Sequence, residues 1–209
     1  MRENWNRFVH AVGLQHRALV RARQVHGCEV LQADRQDGVV RPEPPFMDGD
    51  ALLTGDAGHA LSVRVADCAP VLLADPQARL GAAIHAGWRG VVGGIVPRAI
   101  DALVARGAHP SRLLAAVGAC IGGGSFQVGP EVGEAFGKAG LRHCVQPDEQ
   151  PGRLKADIRT AIRTQLEGRM IEADRIDIDA VCTMIDHESL FSYRRDGARS
   201  GRMACIIGL

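Results

Sequence analysis

The sequence predicts an α/β protein of the mixed α+β kind, with mixed β-sheets layered against helices. Three observations predict it. Apolar runs of strand length crowd together in "ALSVRV", "PVLLA" and "LGAAIHA", residues 60–86, with turn residues between them. After His85 the apolar period lengthens, and Trp88, Val91, Val92, Ile95, Val96, Ile100 and Leu103 recur at helical spacing. Helices then alternate irregularly with the remaining strand signals, which argues against a regular βαβ series. With 209 residues and 46% hydrophobic content, the chain can bury one sizeable core, and a single domain over 1–209 is expected.

Residues 4–13 are expected to open the chain with a short helix. "RALVRARQV" and "EVLQA" read as a strand pair broken at His26-Gly27. In "RPEPPFMDGD", residues 41–50, three prolines cannot donate to a ladder, so this is a loop and strand resumes at "ALLT". "SVRVADCAPVLLADP", residues 62–76, reads as a buried hairpin interrupted by Asp67 and Cys68, and "DPQAR" turns the chain into "LGAAIHA". The helix that begins at "GWRGVVGG" contains Pro97. Proline kinks it there unless the chain re-enters helix with Pro97 in the first turn. "LLAAVGACI" is a buried strand, "GGGS" a flexible turn and 129–139 a helix. The clearest amphipathic helix lies in "LKADIRTAIRTQLEGRM", with Leu154, Ile158, Ala161, Ile162 and Leu166 on one stripe. "IDIDAV" and "RMACIIGL" supply the last strands.

Composition narrows the partner. The net charge is +1, from 25 basic and 24 acidic residues without a long single-sign run, which gives no nucleic-acid footprint and no polybasic membrane patch. No apolar stretch approaches the roughly 20 residues that span a bilayer, and the first residues lack the apolar core of a signal peptide. A cytoplasmic protein with a small-molecule partner is the expectation, and a homodimer is admitted. Six cysteines lie scattered without CxxC spacing, which suits reduced thiols better than a disulfide framework. No phosphate loop is present, because "GACIGGGS" lacks the lysine.

Three residues share one local context: His26 in "QVHGCEV", Cys68 in "VADCAPV" and His85 in "AAIHAGWRG". Each follows an apolar strand and precedes a glycine or a strand break, where residues of adjacent strands converge at one sheet edge. Imidazole, thiolate and imidazole are good zinc ligands, and three of them leave one tetrahedral position open, as in a catalytic site. Taken singly, a strand cysteine is usually a small buried hydrophobe and a lone histidine a hydrogen-bonded structural residue. Cys28, two residues after His26, is a candidate fourth ligand, which would make the site structural.

"RQVHGCEV", "DGDALLTG", "LSVRVADCAPVLLADP", "GAAIHAGWRG", "GACIGGGSFQVGPEV" and "FSYRRDGARSGRMACIIGL" together resemble the bacterial laccase-domain, or polyphenol oxidoreductase, family from about residue 3 onward. The resemblance implies a fold like that of the cysteine deamidase toxins. It also implies a zinc ion, one per chain, at a catalytic centre made by His26, Cys68 and His85. The implied reactions are phosphorolysis of adenosine, inosine and methylthioadenosine, with phosphate as co-substrate, and deamination of adenosine. The family's N-terminal segment has no counterpart before residue 4, and Trp5 in "ENWNRF" stands where arginine is common. Either the start codon lies upstream or one side of the pocket is built differently.

Arginine forks suit phosphate, and of the motif arginines Arg89, Arg194, Arg195 and Arg202, Arg89 and Arg194 are chosen as substrate or phosphate contacts. Gln24 is a candidate hydrogen-bond partner for a substrate edge. Asp67, on the strand face opposite Cys68, is expected to be a structural acceptor, and either it or His187 is a candidate proton shuttle. An alternative reading makes Cys68 with His85 or His26 a thiol amide hydrolase editing peptidoglycan precursors. Copper oxidation of phenols ranks third. The eight histidines include no His-x-His pair, and a blue-copper site would need Met47 or Met184 as its weak axial ligand.

Overall fold

The structure is a computed structural model that describes residues 2–33 and 47–209. Its centre is a six-stranded mixed sheet. From edge to edge this contains β11 (Ile176–Ile178), β7 (Leu114–Val117), β5 (Ala69–Asp75), β6 (Leu80–Ala86), β3 (Ala51–Thr54) and β2 (Val30–Gln32). The inner pairs are antiparallel, and the outermost pair at each edge is parallel. All seven residues of β6 are buried, as a strand covered on both faces requires.

The alternation along β6 shows what covers each face. Ala82, Ile84 and Ala86 join one apolar cluster with α2 (Trp88–Val92), α3 (Ile95–Ala105) and α5 (Ile158–Glu167). Ala83, together with Leu52 of β3, belongs to a second cluster built against Val20, Leu61 and Val63. Those three residues come from a three-stranded sheet in which β4 (His59–Val65) lies between a parallel β1 (Ala18–Val20) and an antiparallel β12 (Met203–Gly208). The molecule therefore stacks sheet, sheet and helices. His85 has the parity of Ala83, so it points into the seam between the two sheets.

Several expectations need correction. "SVRVADCAPVLLADP" is not a hairpin: β4 pairs with β1 and β12, whereas β5 pairs with β6 and β7. The chain changes sheet through Ala66-Asp67-Cys68, where Asp67 takes a φ of 87°. "RALVRARQV" and "EVLQA" likewise contribute β1 to one sheet and β2 to the other. Leu154 does not belong to the α5 stripe. It sits on β10 (Leu154–Ala156), the middle strand of a small antiparallel sheet with β8 (Gln127–Val128) and β9 (Val145–Pro147). The helix starts only after Asp157, whose side chain accepts the N–H groups of Arg159 and Thr160 as an N-cap.

Other boundaries match the reading. The first helix is α1 (Arg2–Ala11), and α4 (Pro130–Lys138) begins with proline at its first position. Between α2 and α3 the chain breaks at Gly93-Gly94, and Gly94 adopts a φ of 80°. Pro97 thus falls in the first turn of α3, where its missing N–H is not needed. The proline-rich loop meets β3 at Ala51, although its residues 41–46 lie outside the described residues. The short α6 (Tyr193–Asp196) follows Ser192, whose hydroxyl accepts the N–H of Arg195.

Candidate metal centre

Three breaks in regular structure meet at the seam between the sheets. His26 lies in the loop between β1 and β2, Cys68 at the crossing from β4 to β5, and His85 near the end of β6. One donor atom from each lies within 4.8 Å of the others. The two imidazole rings stand edge to face, with centroids 4.8 Å apart. Exposure falls from His26, which is open to the cavity, through Cys68 to the buried His85. The residues fit a small cation: two imidazoles and a sulfur converge from separate elements, and among the described residues no fourth such side chain joins them. Cys28 is not part of the group, and its thiol points to the carbonyl of Gly90 at 3.6 Å.

Asp50 holds two of the three. Its carboxylate is 1% exposed and sits where "DGD" enters β3. Oδ1 accepts the N–H of His26 at 2.9 Å and faces His85 Nδ1 at 2.7 Å, and Oδ2 accepts the N–H groups of Gly27 at 2.7 Å and Val25 at 3.2 Å. The N–H of His85 also donates to the Asp50 carbonyl at 2.7 Å. This clasp keeps His26 at its left-handed φ of 61°, and it directs the proton of His85 to Nδ1 so that Nε2 keeps its lone pair. Burial opposes the charge on Asp50, but the His85 ring and the N–H groups of Gly27 and Val25 outweigh it and hold the carboxyl below its usual range.

The neighbouring groups suit coordination. Burial first, then His85, Arg89 and Arg202, lower the basicity of His26, which favours the neutral, ligating imidazole. Burial and then the Asp67 carboxylate push the Cys68 thiol up to about 12, so this sulfur ionises only where a cation compensates its charge. Gly87 gives the room. A Cβ there would stand 3.0 Å from Cys68 Sγ and 3.1 Å from His26 Cδ2.

Asp67 lies in the crossing turn and not on a strand face, and each of its carboxylate oxygens holds a partner. Oδ1 accepts the Thr183 hydroxyl and Oδ2 the N–H of Arg194, each at 2.6 Å, while its carbonyl accepts the N–H of Ile121 at 3.0 Å. It anchors the turn that presents Cys68. His187 is exposed, turns Nδ1 to the Ile185 carbonyl, and does not line the cavity.

Above these three side chains opens a cavity of ≈ 830 Å³ whose wall includes Gln24, Arg64, Arg89, Arg194 and Arg202, a volume suited to a small molecule. Arg89 lies over the Trp88 ring, Arg194 over Phe126 and Arg202 over Tyr193, at 4.4, 5.2 and 5.7 Å. Arg194 also donates to the Gln127 carbonyl at 2.7 Å, and Arg202 to the carbonyls of Ser200 and Gly201. Among the described residues no carboxylate pairs with any of these arginines. Arg195 instead turns inward to Asp196 and to the carbonyls of Thr183 and Leu190. Gln24 lines the cavity, but its amide donates to the Arg64 carbonyl and accepts the Arg64 N–H, a clip that fixes the edge of β4.

A family model described as multi-copper polyphenol oxidoreductase laccase matches residues 1–209. The chain belongs to that family. Among its relatives, this laccase-family chain is 39% identical over 207 residues to a purine nucleoside phosphorylase of Deinococcus radiodurans, covering 99% of this chain and 76% of that protein. It is 38% identical over 189 residues to adenosine deaminase RL5 of an unknown prokaryotic organism, covering 88% and 72%. The solved structure of the hypothetical protein YfiH from Bacillus licheniformis superposes with a TM-score of 0.91 at 26% identity, covering 99% of this chain and 80% of that one. Among the described residues, the copper in the family description finds no methionine partner at this centre. Met47 and Met184 are absent from the cavity wall, and the Met184 sulfur faces the Ser192 hydroxyl.

Asp50 and Thr183 were not visible as site residues in the sequence. One signal for Asp50 is present: a carboxylate directly before "ALLT", a strand buried at every position, must find several donors.

Proposed function

We propose that this chain is a zinc-dependent purine nucleoside phosphorylase acting on adenosine, inosine and methylthioadenosine, and that it also deaminates adenosine. The observation that carries the reading is the convergence of His26, Cys68 and His85 within 4.8 Å at the floor of an arginine-walled cavity. The relatives named as phosphorylase and as adenosine deaminase support both activities. His26, Cys68 and His85 would hold the zinc, which would supply a Lewis acid to the reacting group.

The chain's own groups do the rest. Phosphorolysis forms a bond from a phosphate oxygen to the ribose C1′ as the C1′–N9 bond to the purine breaks. Arg89 and Arg194 bind and orient the phosphate, since guanidinium forks match its oxygens and their stacking on Trp88 and Phe126 limits the conformations lost on binding. The aromatic side chains add apolar wall for the purine. Asp50 keeps both imidazoles in register, and Gln24 keeps the Arg64 backbone at the rim. The amide-hydrolase reading requires an activated Cys68 thiolate, and burial beside Asp67 works against one.

Product chromatography from adenosine, with and without phosphate, on protein of known zinc content tests the proposal. Adenine release that needs phosphate, and inosine formation, should both scale with zinc. Cys68→Ala should lose metal and turnover while its circular dichroism stays unchanged. Full activity in that variant would refute the centre. No turnover in zinc-loaded protein would shift the reading to amide hydrolysis.

A further inference from the structure

Away from the cavity, Cys120 and Cys182 are direct partners in a parallel β-bridge. Bridge partners place their side chains on the same face, on strands about 4.8 Å apart, within the Cα separations of about 4.4–6.8 Å that disulfides span. The surroundings of the two sulfurs differ. Cys182 is partly exposed, and its sulfur accepts the N–H of Gly122 at 3.1 Å and faces the Ser125 hydroxyl at 3.6 Å. Cys120 is fully buried, and Arg159 Nε donates to its sulfur at 3.2 Å. The same guanidinium bonds the carbonyls of Cys120, Ala180 and Val181, so it clamps both segments together. Burial alone would raise the Cys182 thiol, but the N–H of Gly122, the Ser125 hydroxyl and the N–H groups of Ile185 and Met184 outweigh it and set it below its ordinary value. Burial takes Cys120 the other way, up to about 11.

We infer that Cys182 and Cys120 form a redox pair, in which a hydroperoxide oxidises Cys182 and Cys120 then closes a disulfide onto it. A partly exposed thiol held by hydrogen-bond donors beside a shielded second thiol is the arrangement of a sensing and a resolving cysteine. In the first step the Cys182 thiolate attacks the outer peroxide oxygen. The O–O bond breaks, hydroxide or alkoxide leaves, and Cys182 becomes a sulfenic acid. In the second, the Cys120 sulfur attacks the Cys182 sulfur, and the hydroxyl departs as water with the proton of Cys120. Two electrons pass from the pair to the hydroperoxide. The linked residues adjoin Ile121 and Thr183, both of which hold Asp67, so the disulfide would fasten together the two segments from which the Cys68 turn hangs.

The test uses zinc-loaded protein treated with hydrogen peroxide, digested without reductant and weighed by mass spectrometry. The expected product is one peptide pair joined through Cys120 and Cys182, lighter by two hydrogens than the two thiols. With Cys120→Ser, Cys182 should accumulate as sulfenic acid and be trapped by dimedone. With Cys182→Ser, Cys120 should stay a thiol. Oxidation elsewhere with both these thiols intact would overturn the inference, as would Cys182 oxidation that never yields the link. Because either variant can fold poorly, alkylation of the unaltered protein by iodoacetamide provides a second reading. Cys182 should react at least about tenfold faster than Cys28, which is likewise partly exposed but whose thiol burial raises; equal rates would also overturn it.

Discussion

Asp50 takes the N–H groups of three consecutive residues and the ring of His85 on one carboxylate, so two imidazoles depend on a side chain that does not line the cavity. Asp50→Asn retains the volume but turns a donor toward donors. Zinc affinity should fall about 10–100-fold, read by competition with a chromophoric chelator, and the visible spectrum of the cobalt-substituted protein should change. An unchanged affinity would reduce Asp50 to a structural role. The residues carrying the family motifs were legible in the sequence because glycines and strand ends mark them. Asp50 and Thr183 were not, because their partners lie 23–35 and 116 positions away and no local pattern encodes such bonds.

At the scale of elements, apolar runs gave strand positions to within a residue or two at β3, β5 and β6. They did not give partners. The alternation in "SVRVADCAPVLLADP" serves a hairpin and a sheet change equally well, and the change turns on Asp67, whose left-handed φ only the folded surroundings enforce. Strands as short as β8 and β10 carry too few residues for a period to register. The turn from β6 into α2 makes a direct prediction. Gly87 has an ordinary φ of −76°, so Gly87→Ala strains no backbone, yet its methyl would crowd Cys68 and His26. Metal content should drop while thermal stability measured with excess chelator stays near that of the parent.

The end of β5 predicts a pH dependence. Asp75 is fully buried, caps the N–H groups of Gln77, Ala78 and His109, and pairs with Arg112 at 2.9 Å. Burial opposes its charge, but Arg112 and the backbone donors prevail and set the carboxyl at about 2, below the unfolded value of about 3.9. Its stabilisation is therefore complete above about pH 4 and is lost as pH falls toward 2. Urea unfolding across that window should show the loss, and Asp75→Asn should be less stable at neutral pH with a flatter acid limb.

For the whole molecule, the candidate centre joins two sheets. Cys68 sits where the chain passes between them, so a metal that binds there stabilises the layered structure and not one loop. Zinc at about 100 times its dissociation constant adds about 2.7 kcal/mol, which for a chain of this size raises Tm by about 5–10 °C. Calorimetry should show that rise and its loss in Cys68→Ala. No helix among the described residues is long and apolar enough to cross a membrane.

The pairing of β4 with β12 joins Ala60 to Gly208, and it imposes an order on synthesis. His26, Cys68 and His85 are all translated early, whereas Arg194, Arg202 and the strand that seals β4 come last. A nascent chain therefore carries these three side chains long before the last arginines of the wall above them. Until the residues after 202 are made, β4 waits with the edge it turns to β12 unpaired.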